Sequence, residues 1–195
     1  MSFERLTKGD ALAWVAGLAL LLVTAIDWYS TILGNDARAI QHDVQVPAGP
    51  LGSDIPSTIK SQAALVAQGQ EKNLWQVHGA IDRLMLIVLL AAAICAAFAA
   101  VMRVAARRYK GGFTPSGAAA MLSALGILLV VYRMVNQPGD DQVTTLKAGP
   151  WLALVALGLV CIGASLAWQA EGDGSAWKDD PAPAGAEGAA KPGPA

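Results

Sequence analysis

The residues of this chain whose type and spacing could do chemistry gather at one end of its apolar stretches. Asp27 and Arg133 are ionisable groups inside those stretches, and Asp82 and Arg83 stand at the mouth of another. An ionisable side chain in a membrane segment is costly to bury, so it marks a clamp or a functional position. Asp27 lies about 9 Å deep at 1.5 Å per residue and is expected to pair with Arg133 or Arg83. Two chemistries follow. A clamp would fix the arrangement of helices, because an unpaired buried carboxylate costs several kcal/mol. A ligand site would let Asp27 take a proton or cation while Arg133, able to snorkel, holds an anionic head group. On the clamp reading, Asp27→Asn or Arg133→Ala lowers stability.

Other chemistries find less support. His42 beside Asp43, and distant His78, lack the spacing of a metal site, so no metal is expected. The chain has no Ser/His/Asp arrangement, no HExxH, no phosphate-cradling glycine loop and no CxxC, and no cofactor is implied. A membrane enzyme acting on lipid would need paired acid and base groups; Asp27, Asp82 and His78 offer no spacing that fits. A net charge of −1 argues against a nucleic-acid surface. The basic run Arg103, Arg107, Arg108 and Lys110 has no acid between 103 and 117 and is expected to face lipid head groups. Thr24, Ser123 and Ser165 are expected to bond to backbone.

Four apolar stretches position these groups: residues 11–33, 84–102, 118–135 and 151–167. A hydrocarbon core about 30 Å thick needs roughly 17–25 apolar helical residues, and each stretch fits. Only 15% of the chain is charged and its mean hydropathy is +0.44, whereas soluble domains run near 25% charged. The expected fold is all-α: a four-transmembrane-helix bundle spanning residues 1–170, with a small outer cap of loop and helix at 34–82. Residues 171–195, dominated by Ala, Gly, Pro and charge, read as a disordered tail. Residues 1–25 also resemble a cleavable signal peptide, but the apolar run continues to Leu33 and favours a span.

The basic loop after the second span belongs on the cytoplasmic side, which puts both termini inside. Trp28, Tyr29, Tyr132 and Trp151 then mark the outer interface, and Trp14, Tyr109 and Trp168 the inner one. Within the cap, Gly34-Asn35-Asp36 and then Pro47, Pro50 and Pro56 predict turns, a helix is expected from Ser57 to Gly69, and Lys72–Arg83 reads as a helical lead-in to the second span. Stripes of Ala92, Ala96 and Ala99 and of Ala93, Ala97 and Ala100 favour close helix packing, within the bundle or against another subunit. Cys95 and Cys161 are expected to pack as small apolar residues. The inner half of every span reads as free of ionisable groups, so a transport path would stop halfway.

The chain resembles small four-span membrane proteins of unknown function common in actinobacteria. The likeness rests on Trp28-Tyr29-Ser30, Trp75, Asp82, Tyr132-Arg133 and Pro138-Gly139, then Gly149, Trp151-Leu152-Ala153 and Gly163. Where that pattern has proline before Trp28, this chain has Asp27, which makes Asp27 particular to it. The resemblance implies the fold and a bacterial inner membrane, and supplies no activity. The expected function is a non-catalytic accessory or scaffold subunit that binds lipid, another membrane protein or a second copy of itself. The rival is a small transporter or channel component built on the Asp/Arg cluster.

Overall fold

The structure, a computed structural model, describes residues 6–43, 54–105, 107, 114–137 and 144–172. Four of its helices are long and apolar enough to cross a membrane: α1 (Lys8–Ala25), α4 (Ala80–Val104), α5 (Pro115–Val135) and α6 (Ala148–Gly172). By length and composition this is a multi-pass membrane protein. Between α1 and α4 lie β1 (Asp27–Thr31), α2 (Ile32–Asp43), α3 (Asp54–Gln70) and β2 (Lys72–Asn73), and β3 (Thr144–Leu146) joins α5 to α6.

Helix starts follow local chemistry. Thr7 caps α1 by accepting from the Asp10 amide, and Asp10 returns a bond to the Thr7 amide. Thr114 caps α5, with Pro115 at the first helical position, where its missing N–H is not needed.

The spans form a four-sided bundle in which α1 contacts α4 and α6, and α5 contacts the same two. Side-chain size is sorted in the sense a bilayer favours. Leu22, Ile94, Leu128 and Val155 point outward, while Ala13, Ala92, Ala96, Ala119, Ala153 and Ala164 are buried between helices. Lipid solvates a leucine as well as a protein does, so close approach of small residues drives association. At the tightest crossing, a Cβ added to Gly9 would lie 2.7 Å from the Gly163 carbonyl oxygen, and one on Gly163 would lie 2.7 Å from the Ala13 nitrogen. Larger side chains, Leu20, Met85, Leu89, Val130 and Leu157, fill the half of the bundle nearer the sheet.

All three strands sit at one end of the bundle, as an antiparallel sheet ordered β2-β1-β3. Tyr29 pairs with Leu146, Ser30 with Thr145 and Thr31 with Thr144. This sheet end corrects the first expected span, which stops at Ala25 rather than Leu33. Aromatic and β-branched residues at 28–31 suit a pleated ladder. Trp28 is wholly buried, its indole N–H donating to the Val23 carbonyl at 2.9 Å, so it does not anchor an interface.

Thr31 then accepts from the Gly34 amide at 3.1 Å and starts α2 where turns were expected. The lead-in to α4 is likewise not helical: β2 is followed by a turn in which Asn73 Oδ1 accepts from the amides of Trp75 and Gln76. Helix α3 begins at Asp54, ahead of the expected cap at Ser57, and α6 runs through Gly172, past the expected start of the tail. Residues 173–195, and the prolines at 47 and 50, lie outside the described residues.

Candidate functional site

The polar chemistry divides between the two ends of the bundle. At the sheet end, Asp82 occupies the first turn of α4 and Arg133 the last turn of α5. Arg133 Nε donates to Asp82 Oδ1 at 2.6 Å and Nη2 to Oδ2 at 2.7 Å, a two-pronged pair with the carboxylate fully buried. Its third nitrogen, Nη1, donates to the Asn136 carbonyl at 2.7 Å. Gly79, the cap of α4, leaves room for the Asp82 carboxylate to fold back; a Cβ there would overlap Oδ2. The Tyr29 phenol touches both partners, and burial first, then the Asp82 charge, pushes its proton affinity well above the usual range. Arg133 therefore pairs with Asp82, and among the described residues Asp27 pairs with neither Arg133 nor Arg83. Arg83 is exposed.

Asp27 joins a second group at the same end. It faces Glu71, with Arg38 and Lys147 nearby; burial and the Glu71 carboxylate raise its proton affinity against the opposing pull of the two cations. Glu71 pairs with Arg38, and Lys147 Nζ stands 3.6 Å from its other oxygen. Asp27, expected as a clamp inside a span, is thus the first residue of β1, outside the helix, beside a Glu71 that takes both cations.

At the opposite end, where α1 begins and α6 ends, sequence reasoning missed a buried network. Arg103, expected at lipid head groups, is only 2% exposed. Its Nε donates to Asp10 Oδ2 at 3.1 Å and its Nη2 to Glu171 Oε1 at 2.9 Å, while the Ser116 hydroxyl donates to the same Glu171 oxygen at 2.8 Å. The Thr7 hydroxyl adds a 2.6 Å bond to Asp10 Oδ2. One residue from every span meets here. Asp10 Oδ1 and Glu171 Oε2 are buried, and among the described residues nothing donates to them. The expectation of charge-free inner halves fails because Asp10, Arg103 and Glu171 lie one to four residues beyond the apolar windows, on helices that extend past the windows at this end. Arg107 is exposed; Arg108 and Lys110 lie outside the described residues.

Both ends obey one rule that the sequence carries. Asp10 and Asp82 sit in first turns, and Arg103 and Arg133 in last turns. Helix dipoles favour acids at N-termini and bases at C-termini, and antiparallel neighbours bring the two together. Helix α4 supplies one partner to each end; the rise from Asp82 to Arg103 is about 31 Å, close to the hydrocarbon thickness.

Of the other sequence candidates, Ser123 donates to the Ala119 carbonyl at 2.6 Å and Thr24 to the Leu21 carbonyl at 2.7 Å. Cys95 and Cys161 are free thiols. No metal-holding group of His, Cys, Asp or Glu occurs among the described residues; the side chains of His42 and Asp43 are outside them. Fold and polar sites together define a multi-pass helical membrane protein whose spans are tied by ion pairs at both ends. Compared with family models, curated proteins and solved structures, the chain matches none.

Proposed function

We propose that this protein is a non-catalytic accessory or scaffold subunit of a bacterial cytoplasmic membrane, docking another membrane protein through its cap. The cap is the observation that carries the reading. Helices α2 and α3 are not among the span-length helices, yet Leu33 and Ile40 on one, and Ile59 and Val66 on the other, are between 41% and 60% exposed. Residues seven apart share a helix face, and exposed apolar faces mark interaction surfaces. For sidedness, Arg107 is exposed at the end opposite the sheet, where α1 begins and α6 ends, and a basic residue there favours that end on the cytoplasmic side.

The interior supports a role without conduction. Between the two polar ends, Leu20, Leu89, Val130 and Leu157 pack in one buried apolar cluster and Ala96 and Val160 in a second, so apolar layers separate the ionisable groups. Extraction of the full chain into lipid nanodiscs, followed by mass spectrometry, is expected to recover a stoichiometric membrane protein that is lost on Leu33→Lys or Val66→Lys. Recovery of the chain alone would remove the proposal.

A second reading, a small transporter or channel component, draws on the two carboxylates that share Arg103 at the terminal end. Proton or cation flux in proteoliposomes that disappears with Glu171→Gln would put this reading in place of the first.

A further inference from the structure

A cavity of about 320 Å³ opens at the sheet end, between β1, the end of α3 and the segment that leads into α4. Its size suits a small ligand or a head group. Lys72 and His78 are its ionisable walls besides the Tyr29 phenol, and among the described residues that line it there is no carboxylate. The buried acids at this end are already matched by cations: Asp82 by Arg133, and Glu71 by Arg38 and Lys147. The charge of Lys72 is left for an incoming anion.

The neutral walls point the same way. Gln70 Oε1 accepts from the Thr31 hydroxyl at 3.1 Å, and Gln76 Oε1 accepts from the Asn73 amide at 3.1 Å. Both side-chain amides therefore spend their acceptor ends on the protein, leaving N–H donors for a ligand. Gly34 holds this wall close, since a Cβ there would lie 2.8 Å from both Gln70 Cβ and Ser30 Oγ. Val77 adds apolar surface, and the half-exposed Trp75 stands one residue before Gln76, anchored by its N–H to Thr24 at 3.1 Å. An indole placed where spans end suits the head-group layer.

We propose that this cavity binds the phosphate of a phosphate ester, with Lys72 supplying charge and His78, Gln70 and Gln76 supplying N–H donors. A phosphate offers several acceptor oxygens and negative charge to a donor-rich, acid-free site, and charge-assisted bonds of this kind are the strong ones. Its place at the ends of the spans puts a phospholipid head group within reach. The inference does not depend on the accessory role.

Calorimetric titration of the full chain in neutral maltoside micelles tests it, using dihexanoyl phosphatidylglycerol, glycerol 3-phosphate and inorganic phosphate as separate probes. Saturable binding is expected to weaken about tenfold in Lys72→Gln, equivalent to about 1.4 kcal/mol, and further in Lys72→Gln/His78→Ala. Both side chains are exposed, so melting temperatures should not move; Lys72→Arg should retain binding. Preference for the lipid identifies a head-group site, and equal binding of glycerol 3-phosphate identifies a soluble phosphate ester. No saturable binding of any probe, or binding unchanged in the double variant, overturns the proposal.

Discussion

Arg133 shows how one side chain can be expected to pair with a carboxylate and yet meet a different one, Asp82 rather than Asp27. Its guanidinium was bound to find a carboxylate, because an arginine at a span end loses much of its hydration; which carboxylate was set by α4 lying beside α5. Removing one member of a buried pair costs about 3–5 kcal/mol, because the other charge is stranded. Arg133→Ala is therefore expected to lower the melting temperature in detergent sharply, and Asp82→Leu/Arg133→Leu to recover most of the loss. Asp27 behaves in the opposite sense. Its folded-state proton affinity lies above the ordinary value of 3.8, so the folded chain binds that proton more tightly than the unfolded chain. Stability then falls as pH rises from about 3.8 through the raised value, and the loss persists above it. Asp27→Asn, expected from sequence to weaken the bundle, should instead gain on the wild type as pH rises from 4 to 7 in parallel thermal melts.

At the scale of elements, the spans were legible because composition alone decides them. Twenty residues without a strong charge can satisfy their backbone in lipid only as a helix. Their ends were less legible. Every span starts earlier than its apolar window, and the second and fourth also end later, where caps such as Thr7 and Thr114 and ion pairs such as Arg103 with Glu171 offset the loss of hydration. The first gives up residues 26–33 to the sheet and α2. Thr7→Ala is expected to cost about 1 kcal/mol, seen as a modest drop in thermal stability. The crossing of α1 and α6 is less forgiving. A methyl on Gly163 meets backbone at 2.7 Å, and backbone cannot rotate aside, so Gly163→Ala is expected to cost about 1–3 kcal/mol. A nearby control, Gly158→Ala, meets nothing within 4 Å and should leave stability unchanged or raised. The small sheet escaped sequence reading because its strands are two to five residues long and pair across more than forty residues of chain.

For the molecule as a whole, the two polar ends act as fixed rims on an apolar barrel of alanines and leucines. The terminal-end rim joins all four spans through Arg103. Arg103→Ala leaves Asp10 and Glu171 facing each other in a buried site, and is expected to reduce folded yield more than Arg133→Ala does, measured by size-exclusion recovery in mild detergent. The sequence by itself determined that this is a membrane protein, how many spans it has and roughly where they run. Those properties depend on local composition integrated over a helix length. Tertiary structure alone decided which charges meet, that Trp28 is interior, and that Arg103 is buried rather than facing lipid. The reason is geometric: a pair is made by helices that touch, and the choice of neighbours rests on small residues such as Gly9, Ala13 and Gly163 whose significance appears only when the opposing helix is in place.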